Sequence, residues 1–143
     1  MNDKPYKTTS QFRVRYSESD QMGVVYHTHY LVWCEIGRTD FIRTFGVSYA
    51  ELERQGLLLA VTEAQVRYLA SARYDDLIVV ETRLIRAQSR LLTFGYDIFC
   101  AEPGPKHHLA SALTKLIAID RSNALRTIPA ELIARFKDVE TRS

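Results

Sequence analysis

A carboxylate, a glycine and an imidazole stand in close order near the start of the chain: Asp20, then Gly23, then His27. The stretch Ser17 to Gly23 (SESDQMG) is polar and ends on the glycine, so Asp20 belongs to a loop. Val24 then opens a long apolar run that reads as a helix. A helix N-terminus leaves backbone N–H groups unpaired and carries positive partial charge, which suits the oxyanion of a carbonyl under attack. A carboxylate beside it can act on that carbonyl as a base or as a nucleophile. The same spacing also makes an ordinary turn, in which Asp20 is a cap and Gly23 supplies a permissive backbone angle.

Other chemistry is thin. His27 and His29 form a His-x-His pair, which ligates a metal when both imidazoles point one way, as on a strand; at a helix start they diverge, and no metal is expected. His107 and His108 follow a Pro-Gly-Pro turn and read as solvated hairpin residues. The chain has no Gly-x-Ser-x-Gly elbow, no phosphate-cradling glycine loop and no His-Glu-x-x-His. Arginine supplies 14 of the 19 basic residues. Arg67, Arg73, Arg90, Arg121 and Arg126 fall on or near strand ends, where a guanidinium either grips a ligand phosphate or is simply solvated.

The elements that must position Asp20 and His27 follow from periodicity. Phe12 to Tyr16 alternates apolar and basic residues, as a half-buried strand does. From about Val25 to Phe45 the apolar positions recur at helical spacing, and Tyr30 to Cys34 is apolar nearly all round, so that half of the helix needs cover on every side. Gly46 stops it, and Ser48 with Glu51 forms a capping-box start for a short helix Tyr49 to Gln55, closed by Gly56. Leu57 to Leu69 is a strand whose inward phase switches near Thr62 or Glu63, which predicts a bulge. Leu77 to Gln88, Leu91 to Cys100 and His107 to Asp120 are three more long strands, the last two joined through Glu102-Pro-Gly-Pro, and their lengths favour an antiparallel meander. Pro129 opens a terminal helix, Ala130 to Lys137, with Leu132, Ile133 and Phe136 inward.

This order is α+β: an antiparallel five-stranded sheet wrapped around a long central helix. One sheet leaves part of that helix uncovered, which predicts a homodimer. With 143 residues, 46% hydrophobic, the chain reads as a single domain over 1–143 with an ordered core of about 10–137. A net charge of +2 is too small for a nucleic-acid binder. No apolar run approaches the roughly 20 residues that cross a bilayer, and Met1 to Ser10 is polar, so a cytoplasmic protein is expected. Cys34 and Cys100 sit in apolar stretches and read as small core residues.

The run Arg15-Tyr16-Ser17-Glu18-Ser19-Asp20-Gln21-Met22-Gly23-Val24-Val25-Tyr26-His27, continuing through Tyr30 and Glu35 to Arg38, resembles the signature of hotdog-fold acyl-CoA thioesterases. Within them it is most similar to the YbgC-like branch of the 4-hydroxybenzoyl-CoA thioesterase family. Tyr68, Ala72-Arg73, Asp75-Asp76 and Ile128-Pro129 also fit, while Ser71 stands where the family commonly has proline. The resemblance implies that Asp20 is the catalytic carboxylate and that the backbone N–H of His27 faces the thioester oxygen. Gly23, Val24, Tyr26, Tyr30, Tyr68, Arg73 and Arg90 are the substrate-binding candidates it suggests, with no cofactor. It further implies acyl-CoA, or an acyl carrier protein, as substrate, and paired sites at the interface of a homodimer that often doubles to a homotetramer. Phe94, Tyr96 and Ile98 either line an acyl pocket or are plain core.

Overall fold

The computed structural model describes residues 6–141. Its elements are β1 (Thr8–Arg13), a 3-10 turn (Tyr16–Glu18), α1 (His29–Arg43), α2 (Tyr49–Arg54), β2 (Leu58–Tyr68), β3 (Leu77–Ala87), β4 (Leu91–Glu102), β5 (His107–Ile119) and α3 (Ala130–Lys137). The five strands form one antiparallel sheet in the order β1-β3-β4-β5-β2. β3, β4 and β5 make the expected meander; β2 crosses to the far edge and pairs with β5. The bulge predicted near Thr62 is present as a register shift between Val61 and Glu63.

The first strand differs from its expected span. It begins at Thr8, opposite Thr82 of β3, and ends at Arg13, while Tyr16 already belongs to the 3-10 turn. The inward phase runs back through Ser10, a polar residue that hides the pattern in the sequence. Ser10 is buried because its hydroxyl donates to Asp40 Oδ2 at 2.7 Å on the neighbouring helix. Helix α1 is likewise shorter than the predicted Val25 to Phe45. Its lead-in is extended and turn-like because long-range acceptors take the backbone donors a helix would use: Val25 N–H goes to Ala72 C=O at 2.9 Å and Tyr26 N–H to Glu18 C=O at 3.0 Å.

α1 lies on the sheet through Tyr30, Trp33, Cys34, Gly37, Phe41 and Ile42. Gly37 is the point of closest approach, where a Cβ would overlap Thr82 Oγ1 and stand 3.0 Å from Val80 Cγ1 on β3. Phe94, Tyr96 and Ile98 of β4 face this helix in the core, each with no exposed surface. The sheet covers only one face. Leu31, Val32 and Ile36 on the other remain 37%, 40% and 36% exposed. α2 starts where the capping signal places it, with Ser48 Oγ accepting from Glu51 N–H at 3.0 Å, and α3 buries Leu132, Ile133 and Phe136. No described helix is long and apolar enough to cross a membrane.

Both cysteines are free and buried, and burial pushes the Cys34 thiol up to about 12. His108 departs from the solvated reading: its ring stacks on Phe99 at 4.9 Å and Nε2 stands 3.1 Å from Asp97 Oδ1.

Candidate active site

The polar loop between β1 and α1 is held at both ends before it reaches Asp20. Val14 N–H donates to Asp76 C=O at 3.0 Å, and Ser19 bridges Val25 across the loop mouth. Inside that mouth Asp20 N–H donates to Val24 C=O at 2.8 Å and Gly23 N–H to Asp20 C=O at 3.1 Å. Gly23 has φ +79°, a left-handed angle that glycine adopts without penalty and that lets the chain reverse. The Asp20 carboxylate uses one oxygen locally: Oδ1 accepts Met22 N–H at 2.8 Å, while Oδ2 has no partner among the described residues.

Beyond the loop the chain enters α1 through a turn in which His29 N–H donates to Tyr26 C=O at 3.0 Å. His27 and Thr28 occupy the middle of this turn, and their backbone N–H groups donate to no described residue. The positive end of α1 is therefore open beside Asp20. Tyr68, at the end of β2, fixes the turn by donating its hydroxyl to His27 C=O at 2.9 Å. Its ring stands edge-on to Tyr30 at 5.1 Å and to the His27 imidazole at 6.3 Å. Tyr30 in turn accepts Ala72 N–H at 3.0 Å. Burial pushes both phenols above the ordinary tyrosine value, so Tyr68 keeps the proton it donates.

Asp20 stands between two concavities. One, of about 380 Å³, has Asp20, Val24, His27, Tyr30 and Tyr68 on its wall and is closed by the 69–71 segment. The other, of about 560 Å³, runs from Asp20 and Gly23 past Tyr16 to Tyr74. Asp20 thus has open volume on both sides, and the N–H-bearing His27 turn lines the smaller of the two spaces.

Of the candidates read from the sequence, Asp20, Val24, His27, Tyr30 and Tyr68 come together around the smaller cavity, and Gly23 lines the adjoining one. Tyr26 lies outside the cavity wall, half-exposed and packed on the His27 ring at 4.4 Å. Arg73 is exposed and passes near Gly23, its Nη1 3.9 Å from where a Cβ there would stand. Arg90 is elsewhere. Its carbonyl accepts Ala118 N–H, eight residues along β5 from the Ala110 that pairs with Tyr68, roughly 26 Å at the rise of a strand. Within one chain Arg90 is thus remote from Asp20, because the β3–β4 turn lies at the opposite end of the sheet. Phe94, Tyr96 and Ile98 do not reach the cavity; they are core, and Tyr96 satisfies its hydroxyl on Thr114 Oγ1 at 2.6 Å.

One residue of the site escapes a sequence reading. Glu18 looks like a solvated loop acid, yet it is 2% exposed beneath the Asp20 loop. Oε1 accepts Arg15 N–H at 2.8 Å and Oε2 accepts the Trp33 indole N–H at 2.9 Å. Burial alone would raise its pKa, but the bonds from Arg15 N–H, the indole and the Arg15 guanidinium outweigh that and hold it below the ordinary value. The available signal was Trp33 itself, since a buried indole N–H calls for an acceptor.

The family model described as the thioesterase superfamily matches residues 22–106, a stretch that opens two residues after Asp20. YneP of Bacillus subtilis is 38% identical over 89 residues, 62% of this chain and 64% of that protein, so the match spans just under two thirds of that relative. The acyl-CoA thioester hydrolase YbgC of Escherichia coli is 30% identical over 126 residues, 87% of this chain and 92% of that protein. Among solved structures, the DHNA-CoA thioesterase of Staphylococcus aureus superposes with a TM-score of 0.85 at 27% identity, covering 92% of this chain and 91% of that one.

Proposed function

The chain belongs to the thioesterase superfamily and is a thioester hydrolase; from that premise we propose that it hydrolyses acyl-CoA thioesters with Asp20 as general base and the His27 turn as oxyanion site. The observation that carries this reading is an unpartnered carboxylate oxygen, Asp20 Oδ2, sharing one cavity wall with His27, whose backbone N–H is unpartnered among the described residues, as is that of Thr28 next to it in the turn. Water attacks the thioester carbon and gives its proton to Oδ2, while the carbonyl oxygen gains negative charge against the N–H groups of His27 and Thr28. The tetrahedral intermediate then expels the CoA thiolate, which takes the proton from Asp20. A thiol of pKa about 8.5 leaves without a strong general acid, so one carboxylate and one oxyanion site suffice.

The active unit we propose is a homodimer. The exposed Leu31, Val32 and Ile36 side chains make an apolar face on the helix that follows the His27 turn, and from Val61 to Tyr68 the edge strand β2 is open to solvent except at Val66. A second copy covers such a face at the least cost in new surface.

The test is thiol release from a panel of short, medium, long and aromatic acyl-CoAs by the purified chain and by Asp20→Asn. The amide keeps an oxygen for Met22 N–H but takes no proton at neutral pH, so kcat falls by about 100-fold or more while circular dichroism is unchanged. A folded Asp20→Asn variant that retains more than about a tenth of wild-type kcat is incompatible with a general base at this position.

A further inference from the structure

Among the described residues, Glu18 is the only carboxylate in the buried set. Burying an ionised group is costly unless donors replace its water, and at this place an apolar side chain would pack without that cost. The carboxylate is retained among donors that come from separate pieces of the site. Arg15 N–H marks the end of the β1 extension, the Trp33 indole belongs to the second turn of α1, and the Arg15 guanidinium closes over the outside at 3.5 Å. The backbone of the same residue completes the brace: Glu18 N–H donates to Arg15 C=O at 3.0 Å, and Glu18 C=O accepts Tyr26 N–H at 3.0 Å on the far side of the loop. One residue thus joins the start of the Asp20 loop, its end and the helix whose N-terminus forms the oxyanion site.

We propose that Glu18 is a positioning residue, which fixes the Asp20 loop against the indole of Trp33 so that Asp20 Oδ2 and the His27 turn keep a single mutual geometry. The inference rests on the reading of Asp20 as general base. Asp20 is two residues beyond Glu18, and every hydrogen bond of its own lies inside the loop, to Met22, Gly23 and Val24. Its internal shape is therefore self-contained, while its orientation toward the cavity is inherited from what anchors the loop. Displacement of a reacting group by about 1 Å costs on the order of 100-fold in rate without a matching loss of substrate binding.

Glu18→Gln is the sharpest perturbation. The amide has one oxygen for two facing donors, so its NH₂ must meet either Arg15 N–H or the indole N–H, and one tie is lost at constant side-chain size. Trp33 is the chain's single tryptophan and is 1% exposed, so its emission reports this contact directly. Thiol-release kinetics are measured on the wild type, Glu18→Gln, Asp20→Asn and the double variant. The expected result is a kcat lower by about 10- to 100-fold in Glu18→Gln with KM within about threefold, and a shifted Trp33 emission. In the Asp20→Asn background the same change alters the residual rate by less than about twofold, since the group being positioned is gone.

Glu18→Gln with a wild-type kcat overturns the proposal, and so does an equal loss in both backgrounds, which would make Glu18 act independently of Asp20. If Glu18→Gln does not fold, Trp33→Phe deletes the donor while keeping an aromatic ring in the core. A kcat loss of about three- to tenfold at constant KM then supports the proposal and an unchanged kcat overturns it. Should Asp20→Asn itself keep the wild-type rate, the general-base reading fails first; a dead Asp20→Asn beside an unaffected Glu18→Gln fails only the positioning role.

Discussion

Proline at position 27 isolates a single backbone hydrogen. His27 is the second residue of the Tyr26–His29 turn, the position at which proline is favoured, and its N–H donates to no described residue. The following residue, Thr28, is already helical at φ −67° and ψ −22°, and the preceding one, Tyr26, lies outside the helix, so the restriction that proline imposes on its predecessor falls on a loop residue. The carbonyl of residue 27 still accepts the Tyr68 hydroxyl. What is lost besides the N–H is the imidazole, with its packing on Tyr26 and Tyr68, and His27→Ala loses that equally. The Pro-to-Ala comparison therefore reads the N–H. Removing one oxyanion donor costs about 100- to 1,000-fold in kcat, about 2.7–4 kcal/mol; because Thr28 N–H remains, the lower end, about 100-fold, is expected here. The assay is CoA thiol release at saturating substrate, with circular dichroism and Tm showing both variants folded. A folded His27→Pro enzyme within about fivefold of His27→Ala refutes the oxyanion assignment. If His27→Ala instead falls as far as Asp20→Asn, the imidazole itself is a catalytic group.

The Trp33 indole makes the titration of Glu18 visible. Its pKa is held below the ordinary 4.5, so the stability it contributes is fully present above that value and is lost as pH falls through its own lower pKa; an acid titration of Trp33 emission shows one step below pH 4.5 that Glu18→Gln lacks, and the same step in both proteins contradicts the assignment. Ile36→Glu places a charge on the exposed face of α1 and should give a monomer with little activity, whereas sedimentation of a fully active wild-type monomer at assay concentration would refute the proposed dimer. Gly37→Ala forces a Cβ against Thr82 and Val80; overpacking of about 3 kcal/mol less about 1 kcal/mol of helix propensity leaves about 2 kcal/mol, a Tm lower by roughly 4–8 °C, and a melt at or above the wild-type Tm counts against so tight a helix–sheet contact.

Features settled by neighbours in the chain were legible in the sequence. Ser48 capping Glu51, the end of α2 near Gly56, the start of α3 after Pro129, the bulge between Val61 and Glu63 and the reversal at Gly23 all depend on a few consecutive residues. So does the order Asp20, Gly23, His27, which places a carboxylate ahead of a helix start. Tertiary structure decided the rest, because a backbone N–H goes to whichever acceptor the fold brings near. Val25 and Tyr26 are not helical since Ala72 and Glu18 capture them, and β1 reaches back to Thr8 since Asp40 satisfies the inward Ser10. β2 pairs with β5 across a crossover that no local pattern encodes, and that pairing sets Tyr68 beside His27 while leaving Arg90 at the far end of the sheet. The burial of Glu18 is the clearest case. An acid in a polar loop is solvated by default, and only the approach of Trp33, fifteen residues later on a packed helix, supplies the donor that lets it stay charged out of water.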